Sequence, residues 1–556
     1  QIELKDEISP YSISCASDRG ITTLQGLIMP YLNDNNISLR SSALVTILKS
    51  DPSNLEALQR IEMIMKNGTE SEIIDMLEFM RRSNHHLEKS LVLDYLRSNN
   101  DQIKIAILKV IAHNSEIEYL EPIILLLDDA SVSVDAENTL LNYEHDIVRD
   151  RLKGYFLENV TRHSLIIAIL NIIHQFENEE IRKMIISKMS DPDLHVLNAG
   201  CDSLIRISKI HHLTKHELDQ IEVIIQSLSL RAFQLHIFKN ELKNDPDTML
   251  LVDHIDNDIN IIGHLILKLG TLKDPSIPIE AYIRYIDSKD PELLPLVLEL
   301  VDSTFSNHAI RLILPLIDPD IDPVMVAPEF LGDKILSKNE MLKFWIDNPH
   351  HWKTNISIQF LLRSNNSDVL NRIAWNELPD GLLDVQYFSK TEQEYLNQFF
   401  SQNNIINREH NEMYSVLEKT LLLKSVDLFK TIPGDILSKI AQLAMELQLA
   451  TNDEIFNEGD QGDSLYVIIS GKVSVTRNGQ SIAVLEQGNC IGEMSLLDQE
   501  PRSAGALAVE DSILLKIDQE GFYELMSSNP DIMKQIVMML TRRVRQMNRK
   551  LTGSHS

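Results

Sequence analysis

The stretch that decides the fold of the C-terminal part is SLYVIISGKVSVTRNGQSIAVL, residues 464–485. Apolar side chains fall at every second position along two of its segments, at Leu465, Val467 and Ile469 and then at Val473 and Val475. Such alternation is typical of β-strands, and the following Asn478-Gly479 favours a tight hairpin. The stretch therefore predicts the strands of a small antiparallel barrel.

Toward the C-terminus, residues 491–518 read IGEMSLLDQEPRSAGALAVEDSILLKID. A turn at Gly492 would expose the N–H groups of a short helix start, which suit a phosphate, and glycine permits a close approach. Arg502 adds a planar fork of donors for phosphate oxygens, and Ser503 adds a hydroxyl. A phosphate would repel Glu493, so we expect its carboxylate to accept from a ribose hydroxyl. The segment predicts a site for one phosphodiester and its sugar.

GEMSLL at 492–497, followed by PRSA at 501–504, resembles the phosphate-binding cassette of the cyclic-nucleotide-binding family. This family includes protein kinase A regulatory subunits and catabolite activator protein. The likeness continues in EGDQGDSLYVIISGKVSV from Glu458 and in the terminal helices from Phe522. The resemblance implies a jelly-roll whose ligand is a cyclic mononucleotide.

The resemblance also implies a role for each matching residue. Glu493 is expected to bind the ribose 2′-hydroxyl, Arg502 the cyclic phosphate, and Ser503 the phosphate or the base. Backbone N–H groups assist around the cassette, so the implied binding residues are Gly492, Glu493, Met494, Arg502, Ser503 and Ala504.

The base and the affinity are left open by the same residues. Ser503 occurs in cyclic AMP binders, which favours cyclic AMP, although a hydroxyl at this place can also help to hold guanine. The last helix, 531–551, offers further base contacts at Arg543, Met547 and Asn548. Many relatives have Thr or Ser two positions after Ser503, where this chain has Gly505, so a hydroxyl and some stiffness are lost.

The first 320 residues predict a succession of helices, each with apolar positions at helical spacing. Helix pairs recur with a polar turn between them and a small alanine in the second helix. The alanines are Ala43, Ala106, Ala136, Ala168 and Ala199. Their spacing indicates a repeat of about 31 residues. The pattern resembles the HEAT/armadillo class of α-solenoid; the alternative is an irregular helical bundle.

The sequence therefore predicts a multidomain protein, with an all-α solenoid followed by an antiparallel β jelly-roll with flanking helices. The predicted parts are a HEAT-like solenoid over 1–318, an irregular helical connector over 319–410, a linking helix over 411–433 and a cyclic-nucleotide-binding domain over 434–556. The linking helix is expected to run from Met413 to Pro433 as a relay, and another helix is expected over 435–447.

Composition excludes several classes of partner. The net charge of −30 repels nucleic-acid phosphates, and three scattered cysteines give neither a disulfide framework nor a zinc site. The chain has no apolar run of membrane-spanning length. We therefore expect a cytoplasmic location and no nucleic-acid partner.

The chain begins with Gln1 rather than Met. Its order of helical repeats, linker and sensor resembles the soluble C-terminal region of bacterial membrane proteins related to nucleotide translocators. On this hypothesis a membrane domain of the same polypeptide lies upstream, and the chain lies at the cytoplasmic face of the membrane.

Metal-binding and catalytic motifs are not evident. Residues 318–329, DPDIDPVMVAPE, carry acidic residues at calcium-loop spacing, but Pro323 stands where that loop needs glycine. The chain contains no P-loop, G-x-S-x-G, kinase or Rossmann signature. The sequence therefore predicts no metal site, no catalytic residue and no enzymatic activity.

The function predicted is that of a non-catalytic regulator. It senses a cyclic mononucleotide, with cyclic AMP favoured, and transmits binding to a helical-repeat region that binds protein partners or regulates a transporter. The alternative is a protein-interaction scaffold that carries a ligand-free structural barrel. An enzyme formed on the solenoid surface would need an acid–base constellation that the sequence does not reveal.

Overall fold

A computed structural model describes most of the chain, which forms two compact units, Gln1–His211 and His212–Ser556. The described residues are 28–51, 53–81, 87–112, 116–157, 163–272, 283, 292–348, 350–364, 366–375, 378, 382–396, 405–406, 413–426, 428–430, 432–492, 501–528, 533, 537 and 541. None of the helices in these ranges is both long enough and apolar enough to span a membrane.

The described part of the first unit is helical. Its α-helices are α1 (Ile37–Ser50), α2 (Leu55–Asn67), α3 (Glu70–Arg81), α4 (Lys89–Leu96), α5 (Asp101–Ile111), α6 (Ile117–Leu125), α7 (Ser133–Leu140), α8 (His145–Leu157), α9 (His163–Ile172), α10 (Glu179–Lys188) and α11 (Leu194–Ser208). Several begin at a side chain that accepts a hydrogen bond from the first turn, as Asn36, Asn100 and Asp193 do. These caps satisfy N–H groups that the helix itself leaves unpaired.

Helices of the first unit pack both on their neighbours and on the next helix but one. Thus α1 contacts α3, α3 contacts α5, α5 contacts α7, and α9 contacts α11. Of the five recurrent alanines, Ala43, Ala106, Ala136 and Ala199 are buried, whereas Ala168 is half-buried. Four of the five recurrent alanines therefore lie in the interior of the helical packing. The HEAT-like solenoid itself stays a prediction, as do the domain boundaries at 318, 410 and 433.

The second unit begins with two long helices and continues with shorter ones. They are α12 (Lys215–Leu242), α13 (Met249–Gly270), α14 (Leu294–Thr304), α15 (Asn307–Ile317), α16 (Pro323–Leu331), α17 (Lys338–Asp347), α18 (His351–Arg363), α19 (Ser367–Leu370), α20 (Lys390–Leu396), α21 (Val416–Lys424) and α22 (Gly434–Leu443). A short parallel pair, β1 (Leu383–Asp384) and β2 (Ile405–Ile406), lies within this region. Helix α13 packs against α12, α18 and α22, so it joins the helical part to the segment that follows.

Among the described residues, the second unit continues with an antiparallel β-sandwich and a further helix. The strands are β3 (Met445–Leu449), β4 (Glu454–Phe456), β5 (Ser464–Ser470), β6 (Lys472–Arg477), β7 (Gln480–Glu486), β8 (Cys490–Ile491), β9 (Gly505–Ala508) and β10 (Ser512–Asp518), and the helix is α23 (Gln519–Ser528). One sheet has the order β3-β10-β5-β8 and the other β4-β9-β6-β7. The mostly helical chain with a C-terminal β-sandwich agrees with the predicted fold class at this coarser level.

The predicted hairpin is confirmed. Asn478 and Gly479 link β6 to β7 with φ angles of +50° and +73°, the left-handed pair that a type I′ turn requires. Strand β5 does not have one buried face and one exposed face, as simple alternation of apolar residues suggests. Tyr466 and Ile468 enter the core between the sheets, whereas Leu465 and Val467 point to the opposite face and are also fully buried. Helices α22 and α23 pack against β10 on this sheet, so β5 is buried on both faces.

Two helices are shorter than the sequence predicts. The linking helix covers only Val416–Lys424, because the chain turns afterwards and buries Val426, Phe429 and Ile432 in irregular structure. Helix α22 ends at Leu443 rather than at residue 447. The next residues form β3, which pairs with β10, so backbone pairing at the sheet edge replaces the last helical turn.

The buried alanines can be tested by enlargement. Ala136→Leu should lower the free energy of unfolding by about 1–3 kcal/mol, because its site is fully buried and an added side chain must displace neighbours. Ala168→Leu provides the matched control, since this alanine is half-buried and should tolerate the same change at a smaller cost. Urea unfolding followed by circular dichroism measures both, and equal losses would contradict the packing role of the buried alanines.

Candidate functional site

The structure describes four of the six residues predicted to bind a ligand. Gly492, Arg502, Ser503 and Ala504 are described, whereas Glu493 and Met494 lie outside the described residues. The proposed base contacts at Arg543, Met547 and Asn548 also lie outside them. The geometry of the site is therefore built from the end of β8, the start of β9 and the strands that face them.

Gly492 directly follows β8 and has a φ angle of +77°. A Cβ atom at this position would lie 2.2 Å from Nη1 of Arg502 and 2.9 Å from the carbonyl oxygen of Ser464. Both the left-handed backbone and the lack of space therefore require glycine. Gly492 thus lets the backbone pass close beside the guanidinium group.

The backbone of Arg502 is anchored on both sides. Its N–H donates to the carbonyl of Asp460 and its own carbonyl accepts from the N–H of Gly459, each at 2.8 Å. Pro501 pairs with Gln461 in an isolated β-bridge just before it. These bonds fix the position at which the Arg502 side chain leaves the backbone.

The Arg502 guanidinium group points inward, and the residue is only 5% exposed. Nη2 donates to the carbonyl oxygen of Ser464 at 2.7 Å, and Nη1 donates to that of Gly492 at 3.4 Å. The guanidinium carbon lies 4.2 Å from the ring centroid of Phe456 and 5.9 Å from that of Tyr466. The group is thus held by carbonyl oxygens and by cation–π contacts.

The charge of Arg502 is not balanced inside the described structure. Within those residues it forms no ion pair with a carboxylate, and its Nε atom has no hydrogen-bond partner. Burial lowers the pKa of Arg502, and Tyr466, Asp463 and Asp460 act in the opposite direction. An arginine stays protonated near neutral pH, so a buried cation remains that would gain from an anion placed beside it.

Ser503 and Ala504 lead from Arg502 into β9. Ser503 is exposed, and its hydroxyl makes no hydrogen bond with a described residue; Ala504 is half-buried. Gly505 comes next and pairs with Thr476 of β6. A Cβ atom on Gly505 would lie 2.7 Å from the Thr476 hydroxyl oxygen, so the neighbouring strand occupies the space that a side chain there would need.

Sequence reasoning missed the aromatic floor beneath Arg502. Phe456 and Tyr466 lie on β4 and β5 with ring centroids 5.8 Å apart, so each sheet contributes one ring. The strand pattern drew attention to Leu465 and Val467 instead. The sequence does contain a signal for it: Tyr466 is an aromatic residue on β5 at the positions that alternate with Leu465 and Val467, and such a residue suits a position that faces the core.

Residues 446–529 match the family model described as Cyclic nucleotide-binding domain. The C-terminal part of the chain is therefore a cyclic nucleotide-binding domain, and the arginine-centred site lies inside it. The resemblance proposed from the cassette is confirmed at this level.

Similar proteins carry this domain in different contexts. The chain is 41% identical to the cyclic AMP receptor protein of Thermus thermophilus over 102 residues, which are 17% of this chain and 47% of that protein. It is 31% identical to human cGMP-dependent protein kinase 2 over 121 residues, covering 20% of this chain and 16% of the kinase. The crystal structure of Thermus thermophilus catabolite activator protein aligns with 33% identity over 23% of this chain and 62% of that one, with a TM-score of 0.20. The chain thus spans about half or less of the length of these curated relatives.

The prediction that the protein has no enzymatic activity is wrong. Relatives from Mycobacterium tuberculosis and Mycobacterium bovis are named as uncharacterized NTE family proteins. They are 26% identical over 125 residues, which are 22% of this chain and 21% of each relative. The exclusion of enzymes, which depended on missing motifs, therefore does not hold.

Two glycines allow the space beside Arg502 to be tested. Gly492→Ala and Gly488→Ala should each cost about 1–2 kcal/mol of stability, because both glycines have positive φ angles. Only Gly492→Ala also displaces the guanidinium group, since an added Cβ at Gly488 meets nothing within 4 Å. We therefore expect Gly492→Ala alone to weaken cyclic nucleotide binding by more than about tenfold, a loss of about 1.4 kcal/mol. Calorimetry compares the two variants, and equal affinities would contradict this geometry.

Proposed function

We propose that this protein senses a cyclic mononucleotide through its C-terminal domain and transmits binding to its helical region. The observation that carries the proposal is the buried guanidinium group of Arg502, which has no carboxylate partner within the described residues. A cyclic phosphate carries a single negative charge and oxygens that match the donor fork of arginine. The ligand would thus supply the charge that balances Arg502.

The family resemblance supports the rest of the ligand contacts. Glu493 would accept from the ribose 2′-hydroxyl, and the exposed hydroxyl of Ser503 would donate to the phosphate or the base. N–H groups around Gly492, Met494 and Ala504 would complete the phosphate contacts. These roles are part of the proposal, since Glu493 and Met494 lie outside the described residues.

Cyclic AMP is the ligand we favour. The Thermus relative is named for cyclic AMP, and the human kinase is named for cyclic GMP. Proteins similar to this domain are thus named for either purine nucleotide. Ser503 is compatible with either base, so direct competition between the two nucleotides is the decisive measurement.

The helical region is proposed to be a HEAT-like solenoid that binds protein partners or regulates a transporter. Its support is the packing of several helices on the next but one in the first unit, together with five alanines that recur at one or two periods of about 31 residues, four of which are buried. The alternative role is a scaffold whose barrel binds no ligand. Nucleotide titration separates the two, because a scaffold would show no heat of binding.

We propose a cytoplasmic location for the protein, where a sensor domain would meet cyclic nucleotides. A membrane domain upstream of Gln1 in the same polypeptide is part of the proposal through the resemblance to translocator-related proteins.

Titration calorimetry tests the proposal directly. Cyclic AMP, cyclic GMP and their pyrimidine analogues are titrated into the full chain, and we expect saturable binding with cyclic AMP the tightest. Arg502→Met should lose about 2–5 kcal/mol of binding free energy, because the phosphate loses its charged partner. Arg477→Met is the matched control, since this arginine lies on the same domain with its side chain 63% exposed.

Thermal unfolding gives an independent readout of the same experiment. Ligand at about one hundred times its dissociation constant should stabilise the wild-type protein by about 2.7 kcal/mol. Arg477→Met should keep this stabilisation and Arg502→Met should lose it. Absence of heat and of stabilisation with every nucleotide in the wild-type chain would refute the sensor and favour the scaffold.

A further inference from the structure

Helix α22, which leads into the nucleotide-binding domain, begins at Gly434 without a cap from its own sequence. The residue before it is Pro433, and no side-chain cap is made there. Instead Oδ2 of Asp253 on helix α13 accepts a hydrogen bond from the Gly434 N–H at 3.0 Å. A carboxylate at a helix start satisfies an unpaired donor and complements the positive end of the helix dipole. A residue 181 positions away therefore performs the capping.

The same carboxylate also binds the end of the preceding helix. Oδ1 of Asp253 lies 2.6 Å from Nζ of Lys424, the last residue of α21. This ammonium group also donates to the carbonyl of Ile432 at 2.6 Å. Asp253 therefore ties the end of α21 to the start of α22. We call the group of Asp253, Lys424 and Gly434 the latch.

Close packing leaves the start of α22 little room to shift. A Cβ atom on Gly434 would lie 2.8 Å from Cζ2 of Trp352 and 3.2 Å from Oδ2 of Asp253. At the other end of α22, the buried Lys419 of α21 donates to the Ala444 carbonyl at 2.8 Å. The two ends of α22 are thus held by charges of opposite sign, each of which complements the helix dipole.

A continuous series of contacts links α22 to the ligand site. Nη2 of Arg502 donates to the Ser464 carbonyl, and the Ser464 hydroxyl donates to Asp518 at 2.8 Å. Asp518 ends β10, and the next residue, Gln519, begins α23 and donates its N–H to the Asp463 carbonyl at 2.8 Å. Helix α23 packs against α22. A displacement at Arg502 can therefore reach α22 through bonded and packed groups.

We propose that Asp253 regulates nucleotide binding from outside the site, by latching α22 in the arrangement that the ligand requires. The inference rests on the proposed function, since it assigns a regulatory residue to the same site. Asp253 is a positioning residue: it touches α21 and α22 and acts on the ligand only through them. By linkage, whatever alters the latch alters nucleotide affinity, and nucleotide alters the latch in turn.

Loss of the latch is expected to weaken nucleotide binding, because the start of α22 becomes less ordered. With the negative charge removed, the start of α22 loses its ion-paired tie to Lys424 and the charge that complements the helix dipole, so the helix samples more positions. Ligand binding must then restore the ordered arrangement, and the cost of doing so weakens affinity. Coupling between sites of this kind typically changes affinity by about 5- to 150-fold.

The test compares two substitutions on one helix of the full chain. Asp253→Asn removes the negative charge of the latch. Asp256→Asn is the control: it removes the ion pair between Asp256 and Lys239, and the side chain of Asp256 is 46% exposed. Calorimetry with cyclic AMP and with cyclic GMP should show at least about fivefold weaker binding for Asp253→Asn and wild-type affinity for Asp256→Asn. Hydrogen exchange should be faster in 434–443 for Asp253→Asn alone, with or without nucleotide.

A second variant guards against loss of folding. Gly434→Ala keeps Asp253 but pushes the start of α22 against Trp352, so it should weaken binding in the same direction. Gly521→Ala is its control, because an added Cβ there makes only ordinary contacts, at 3.7 Å and beyond. If the wild-type protein binds nucleotide and both Asp253→Asn and Gly434→Ala bind it with the same affinity, the latch is overturned and the proposed function stands. Absence of binding by the wild-type protein overturns the proposed function and the latch with it.

Discussion

The C-terminal domain is arranged around one buried cation. The Arg502 guanidinium lies over the rings of Phe456 and Tyr466, which come from different sheets, and donates to the Ser464 carbonyl. Burying a charge without a counter-charge is expensive, so the surrounding groups must offset part of that cost. Carbonyl dipoles and aromatic faces do so in part, and the remainder is available to a ligand that brings a negative charge.

Several other features of the sandwich follow from placing Arg502 there. Gly492 must be glycine because any side chain would meet the guanidinium group. The backbone of 459–461 must pair with that of 501–502 to direct the arginine inward. Strand β5 must have apolar residues on both faces, because the rings and aliphatic side chains of one face form the core and helices cover the other. The burial of β5 on both faces and the geometry of the site therefore both follow from placing Arg502 inside the sandwich.

Much of this domain could be predicted from the sequence because its signals are local. The Asn478-Gly479 turn depends on short-range backbone chemistry, and the structure forms it as expected. The roles of Gly492 and Arg502 in ligand binding stay predictions. The extent of the linking helix could not be predicted in this way. Its amphipathic pattern continues beyond Lys424, but Phe429 and Ile432 are buried by a turn, because tertiary packing can satisfy the same apolar spacing without a helix.

Contacts between residues far apart in the chain could not be predicted from the sequence. No local pattern pairs Asp253 with Gly434, since the cap is supplied by another helix and Pro433 offers no side-chain donor or acceptor. Such an arrangement has a functional consequence that a local cap lacks. A cap within the same segment moves with its helix, whereas a cap from α13 holds only while α13 and α22 keep their relative position. The stability of the helix start thereby becomes dependent on the distance between two parts of the unit, which is the physical requirement for passing a signal between them.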